Sequence, residues 1–560
     1  MKTVRFITLL LAVILIASLI GAACGPTPTP VPTKLPAPSA PATATPVPAK
    51  ATATPSVTRG GNLIIATRAA NEPASMDGQV DPYLDTWLFN SWVADPLILL
   101  TSAGEYKPML ATGWTLSPDG KTWTFTLRKD VKFQDGTPFN AEAVKFNIDR
   151  LMDPATHSAL MADNVGVSAF KATEVVDEFT VKIIYNAPVP KAWWGFSICP
   201  MWSPTAVKKY GKDFHQNLVG TGAFKMTEWV KGNYLKFVKD PNYKGGPPLQ
   251  EHTGPAYLDS ITVKFVGEDA VLGEILKTGE ANMVMEMPAQ SLAFYKNNPA
   301  FQIVPGYQPG TAMQFVMNTG KPPLDDIRVR QALRYAYDQD KINQTLYDGY
   351  YVAVKGPLTK FTRCYWKGVE DAYKYDPEKS KSLLEEAGWK VNPRTGIREK
   401  DGKPLALNIV MLHHQELGEY LGVQFRAIGV DLKVEVVPGP VQLERALNGQ
   451  FDLMYCRLRS FEPDDLYAIW YSKNLKPGGW AWSRFQNDKL DEILLKTQSI
   501  ADLEERCKLF TEAQKMITEF ALALPTVDNP IYFVMPKSVK GVKVGVFGGW
   551  LFVNDIYIEK

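Results

Sequence analysis

Around Gly60 the chain changes character, and that break constrains its folding more than any other feature. From Gly25 to Val57 it is almost entirely Pro, Thr, Ala and Val, with Lys34 and Lys50 the only charges. Such a segment cannot bury enough apolar surface to offset the entropy of ordering it. Its prolines favour an extended polyproline II chain of ~3.1 Å per residue, a tether on the order of 100 Å long. Thr beside Pro also suits O-glycosylation. Beyond Gly60 lie roughly 500 residues of ordinary globular composition. That is too long for a single core and implies two or three lobes.

Ahead of the tether, Lys2 and Arg5 precede the apolar run Phe6 to Ile20. A run of about fifteen residues is short for a membrane span, which needs ~20, and suits the core of a signal peptide. It ends in Gly21-Ala-Ala-Cys24, which resembles the bacterial lipobox, although the lipobox prefers an aliphatic residue where Gly21 stands. Lipidation of Cys24 would make it the mature N-terminus and anchor the protein to the outer face of the membrane. Ordinary signal cleavage, with Cys24 a bystander, is the plainer alternative.

Composition excludes several classes. Lys and Arg total 61 against 59 Asp and Glu, a net charge of +2 without the basic runs of a nucleic-acid binder. Of five Cys, Cys199, Cys364, Cys456 and Cys507 remain if Cys24 is lipidated, and four Cys in an oxidising compartment allow three pairings. Cys364 and Cys456 are expected in one lobe, so a disulfide between them is possible. No two have C-x-x-C spacing, which argues against structural zinc. The five His form no H-E-x-x-H pattern, and His413 and His414, expected on a strand, would point to opposite faces. Gly220-Thr-Gly222 lacks the rest of a dinucleotide fingerprint, and there is no G-x-S-x-G or P-loop. Glu462, Asp464 and Asp465 could be cast as a glycosidase acid pair, but carboxylates are common on surfaces and their separation in space is the test.

The local pattern alternates strands and helices. Gly61 to Thr67 reads as a strand, and Trp114 to Phe133 as a hairpin about the turn Ser117-Pro-Asp-Gly120. Asn140 is the expected N-cap of a helix over Ala141 to Asp149, and Val175 to Tyr185 is a second hairpin. Leu258 to Phe265 reads as a strand and Met313 to Asn318 as another, followed by an amphipathic helix over Asp326 to Asp338. Asp376 caps a helix that has Pro377 at its first position and Gly388 just past its end. Thr526 to Val534 reads as a strand that returns to the first lobe.

Several segments carry a resemblance. Trp114-Thr-Leu-Ser-Pro-Asp-Gly-Lys-Thr-Trp123 runs into Phe125-Thr-Leu-Arg128 and Val131-Lys-Phe-Gln-Asp-Gly-Thr-Pro-Phe139. Asp325-Asp-Ile-Arg-Val-Arg-Gln-Ala-Leu333 and Tyr375-Asp-Pro-Glu-Lys-Ser-Lys-Ser-Leu-Leu-Glu-Glu-Ala-Gly388 follow in order. Together they resemble the family 5 solute-binding proteins of ABC importers, the dipeptide and oligopeptide receptors and their relatives. The resemblance implies an α/β, two-lobed periplasmic-binding-protein fold of type II with an extra subdomain, built from mixed sheets with flanking helices. The implied organisation is a signal peptide at 1–23, a lipidated Cys and tether at 24–59, and a first lobe at 60–307 with the extra subdomain at about 91–218. A second lobe follows at 308–525, and 526–560 returns to the first. The chain would then cross between lobes near Val304 to Gly310 and near Leu522 to Asn529, a two-crossing hinge.

The family's ligand loop is matched by Tyr455-Cys-Arg-Leu-Arg-Ser-Phe-Glu-Pro-Asp464. In peptide-binding relatives an Asp three residues before the acidic-Pro pair holds the peptide's α-ammonium group. Arg459 occupies that position here. A guanidinium repels an ammonium group and suits a carboxylate, a phosphate or sugar hydroxyls instead. The competing reading is that Arg459 pairs internally with Glu462 or Asp464. Tyr455, Trp480 and Trp482 are further candidate ligand contacts, the two Trp at alternate positions of an expected strand with both rings on one side. Core packing is the alternative for these rings. Tyr83 lies where relatives touch ligand from the first lobe.

The expected function is an extracytoplasmic, monomeric receptor that captures a small solute by hinge closure and delivers it to ABC permease transmembrane subunits. The solute would be an oligosaccharide, an anionic small molecule or a peptide. No cofactor, metal or nucleic acid and no enzymatic step is expected. The alternatives are the same trap serving as a ligand sensor for a membrane receptor, and a secreted hydrolase.

Overall fold

Two mixed sheets, each sandwiched by helices, form the two lobes. A computed structural model describes residues 59–559 apart from 82, 83, 159, 247 and 501. The signal-like segment, Cys24, nearly all of the tether and Tyr83 lie outside the described residues. In the first lobe a seven-stranded sheet has the spatial order Phe301–Gly306, Ile531–Pro536, Met283–Val284, Asn62–Arg68, Ser260–Val266, Tyr234–Lys239, Phe224–Val230. Leu63 and Ile65 alternate inward on one face, where they meet Phe89, Trp92, Phe237, Val263 and Phe533 in one buried core. A four-stranded antiparallel sheet forms the extra subdomain, ordered Ala111–Leu116, Thr122–Leu127, Thr180–Tyr185, Phe170–Asp177. Trp123 and Phe125 on it pack edge-on against Phe196. Helix Ala141–Met152 closes the subdomain, and the Asn140 side chain accepts from the Ala143 N–H at 3.0 Å, the cap expected for a helix start.

The second lobe holds a five-stranded sheet ordered Asp431–Val436, Ala406–Met411, Leu453–Cys456, Gln314–Met317, Ala523–Pro525. Helices Ile327–Tyr335 and Pro377–Glu386 flank it, capped by Asp326 and Asp376. Gly388 lies beyond the second with φ of 89°. The return segment is two strands rather than one, Val527–Asp528 and Ile531–Pro536, because Asn529-Pro530 interrupts it.

Two chain segments join the lobes side by side. Phe301–Gly306 pairs antiparallel with Ile531–Pro536 on the first-lobe side, and Gln314–Met317 pairs antiparallel with Ala523–Pro525 on the other. Between them, Met313 donates to the Val527 carbonyl at 3.1 Å and Thr526 to the Met313 carbonyl at 3.0 Å. Gly310 lies in the first connection with φ of 101°, and a Cβ there would come 2.4 Å from the Leu458 carbonyl oxygen. Gly310→Ala is therefore expected to cost about 1–3 kcal/mol through backbone strain, read as a lower denaturant midpoint.

A disulfide joins Cys364 to Cys507, whose Cα atoms are 4.9 Å apart. This corrects the expected Cys364–Cys456 pair. Cys456 ends an inner strand of the five-stranded sheet with its thiol in the core, where burial pushes it up. Cys507 instead lies in helix Leu503–Glu519, which also holds the Cys364 segment through Gln514, whose amide donates to the Cys364 carbonyl at 2.9 Å.

Candidate functional site: a charged cleft between the lobes

The loop after strand Leu453–Cys456 is tied to both inter-lobe connections. Leu458 donates to the Thr311 hydroxyl and accepts from the Thr311 N–H, both at 2.8 Å, which fixes it to the first connection. Arg457 forms a buried ion pair with Asp528 of the second. Arg459 reaches the neighbouring Asn529 with a long 3.5 Å contact to its side-chain oxygen. The ligand-loop arginines thus rest on the segments that must rotate if the lobes move.

Residues from both lobes line a cavity of 870 Å³, within the 300–1,000 Å³ typical of small-molecule sites. Asp85, Trp87, Asp163, Lys191 and Trp194 face it from the first lobe. The second lobe contributes Arg459, Glu462, Asp464, Asp465 and Trp480. A second concavity of equal volume is lined by first-lobe residues alone, among them Thr137, Phe146, Arg150 and Lys208.

Most cleft charges are already paired. Asp163 binds Lys191 at 2.6 Å. Glu462 binds Arg363 at 2.9 Å and Asp464 binds Arg506 at 2.8 Å. The two acids that could have neutralised Arg459 are therefore taken by other arginines, and Arg459 has no carboxylate partner among the described residues. Burial holds its guanidinium down to about 10, the charge of Arg457 adding to the effect, so it remains a cation at neutral pH. Burial, and after it the charge of Asp464, pushes the Asp465 carboxyl up.

The lobes also touch directly, through the cavity-wall residue Glu462 and its neighbours. Tyr106 of the extra subdomain donates to Glu462 Oε1 at 2.8 Å, and Arg363 donates to the same oxygen and to the Gly104 carbonyl at 2.8 Å. The Phe461 ring packs into the subdomain core, and the Arg363 guanidinium lies 4.9 Å from that ring and 5.4 Å from the Tyr106 ring.

The aromatic candidates separate. Trp480 and Trp482 lie in a turn, not a strand, with Trp482 donating from its backbone to the Trp480 carbonyl at 2.7 Å. Glycines 478 and 479 break the strand pattern, and the two rings stack on each other at 4.7 Å instead of presenting one shared face. Trp480 borders the cavity, whereas Trp482 is buried in the second-lobe core. Tyr455 is 5% exposed and packs against Phe315 and His413, away from the cavity lining. His413 and His414 lie in a bend before helix Gln415–Arg426 with their rings 4.6 Å apart, correcting the opposed strand placement. Asp85, Trp87, Asp163, Lys191 and Trp194 are cleft residues that sequence reasoning missed.

This arrangement can be set beside known proteins. The profile for bacterial extracellular solute-binding proteins, family 5 Middle, matches residues 105–478. The chain belongs to this family. The glutathione-binding protein GsiB of Salmonella typhimurium is 30% identical over 446 residues, covering 78% of this chain and 83% of that protein. Among solved structures, NikZ from Campylobacter jejuni in complex with Ni(L-His) is 27% identical, with a TM-score of 0.67 over 87% of this chain and 97% of that one. The periplasmic binding protein DppA from Helicobacter pylori, in complex with the peptide STSA, is 24% identical, with a TM-score of 0.69 over 90% and 99% of the two chains. The fold is accordingly the two-lobed α/β fold of periplasmic binding proteins, and family membership makes this an extracytoplasmic solute-binding protein of the ABC-importer type.

Proposed function

We propose that this protein captures a small, carboxylate-bearing solute between its lobes and delivers it to an ABC permease. The observation that carries the reading is Arg459, a half-buried cation with no ion-pair partner among the described residues, facing the inter-lobe cavity. Burying a lone charge is costly, and a ligand carboxylate paired with a guanidinium relieves that cost through charge-assisted hydrogen bonds. The relative that binds glutathione, a tripeptide with two carboxylates, is in keeping with such a solute. Residues 60–307 and 526–560 act as one lobe and 308–525 as the other, turning about the paired connections. The ligand touches both lobes, so it binds the closed state better and shifts the population toward it. No bond is made or broken. Cys24 carries the lipid, and the Pro- and Thr-rich tether lets the receptor reach its permease while remaining at the membrane.

A thermal-shift screen of the purified protein against peptides, glutathione, oligosaccharides and small organic anions tests the reading. Ligand at a hundred times its dissociation constant stabilises by ~2.7 kcal/mol. Carboxylate-bearing solutes are expected to raise the melting temperature. Arg459→Ala is expected to weaken their binding by at least ~10-fold, the worth of one charge-assisted hydrogen bond. Undiminished affinity in that variant would remove Arg459 from the site, and neutral sugars as the sole hits would replace the carboxylate.

A further inference from the structure

Arg459 faces a charge of the opposite sign across the cleft. Asp85 is in the first turn of helix Leu84–Val93, on the first lobe, and lines the same cavity. Its carboxylate has no hydrogen-bond or ion-pair partner from another side chain among the described residues. Of the other acids on the cavity wall, Asp163, Glu462 and Asp464 are held by Lys191, Arg363 and Arg506, and Asp465 is buried on the same lobe as Arg459, so it cannot face that residue from across the cleft. Glu286, whose charge reaches Asp85, is held by Arg68 at 3.3 Å and by the Asn71 amide at 3.0 Å. Arg457, behind Arg459, is neutralised by Asp528. Apart from exposed Lys476 at the rim, two opposite charges are left, one on each lobe.

We propose that the solute is dipolar, with its carboxylate on Arg459 and a cationic nitrogen on Asp85. The inference rests on the solute-binding reading above and adds the second half of the recognition. It reverses the polarity that the resemblance to peptide receptors implies, where an acid at the Arg459 position takes the ammonium group. A dipolar solute neutralises one orphan charge on each lobe, and it does both only when the lobes are together. Closure is thereby coupled to having both ends of the ligand in place, which discriminates against solutes that carry one charge alone. Burial, and after it the charge of Glu286, pushes the Asp85 carboxyl up to about 7, while Arg459 pulls it down. A ligand cation acts in the same sense as Arg459, favouring the ionised carboxylate.

The test is calorimetric titration of the purified full-length protein with glutathione and trialanine, each beside its N-acetylated form, and with succinate. Wild-type protein is expected to bind the free-ammonium forms at least ~10-fold more tightly than the acetylated forms. Asp85→Asn is expected to erase that difference. Its unliganded melting temperature should match or exceed that of wild type, because an amide replaces a half-buried carboxylate that no other side chain pairs. Equal binding of free and acetylated peptides by wild type, tighter binding of succinate than of either peptide, or an undiminished preference in Asp85→Asn would overturn the dipolar solute. Any of these leaves the receptor reading in place, provided Arg459→Ala still weakens binding. Failure of every probe to bind would overturn both.

Discussion

Replacing Glu462 with alanine is expected to destabilise the protein by about 3–5 kcal/mol, the cost of breaking a buried ion pair by removing one partner. Glu462 is 1% exposed and accepts from Tyr106 and Arg363 through one oxygen, with Arg506 3.8 Å from the other. Burial raises its carboxyl, and the two arginines pull it back down. Arg506 keeps Asp464 when Glu462 is removed, so the uncompensated charge falls on Arg363. Tyr106 loses its acceptor at the same time, and with it one of the polar ties between the lobes, while the Arg363 contact with the Gly104 carbonyl can persist. Urea titration should show the midpoint fall. Tyr106→Phe separates the two consequences. It deletes the Tyr106–Glu462 hydrogen bond while leaving the Arg363–Glu462 pair intact, and should cost about 1.5–3 kcal/mol, as for a hydrogen bond to a charged group. A Glu462→Ala midpoint within error of wild type would mean that the lobes do not depend on this contact.

Removing the Cys364–Cys507 disulfide is expected to cost about 2–5 kcal/mol. The bond closes a loop of sequence separation 143, so its loss frees a long stretch of the unfolded chain. The bridged loop contains the strands Ala406–Met411 and Leu453–Cys456 and the ligand loop with Arg459. Paired Cys364→Ser and Cys507→Ser substitutions should lower the denaturant midpoint, and reductant should lower that of wild type but not of the double variant. Cys199 and Cys456 are buried free thiols, so mild alkylation of the folded protein should modify neither. A reductant effect that survives the double substitution would assign the stabilisation to another bond.

Local signals were legible because they act over a few residues. Asn140, Asp326 and Asp376 cap their helices through bonds to N–H groups two or three positions on, and the hairpin over Ala111–Leu127 follows from its turn and its alternation. The family was also legible, since its landmarks are short and occur in order. The Trp480–Trp482 reading failed because alternation suggested a strand where two glycines impose a turn, and turn chemistry overrides period. The return strand broke at Asn529-Pro530 for a related reason, since Pro lacks the N–H that a ladder requires.

Pairings between distant residues were a different matter. Sequence alone placed Arg459 where the resemblance to peptide receptors implies an acid, and so made a positive charge the expectation for this pocket. It left open whether Glu462 or Asp464 would cancel that charge, and only the tertiary structure decided, by bringing Arg363 and Arg506 to those acids first. The same holds for the disulfide, where four cysteines allow several pairings and packing of helix Leu503–Glu519 selects one. Asp85 carried no signal of its own, because an acid in the first turn of a helix is an ordinary complement to the helix dipole. Its meaning comes from being opposite Arg459 across a cleft. The chain's order determined each charge, and the fold determined which of them have no ion-pair partner among the described residues, because that depends on distances between residues hundreds of positions apart.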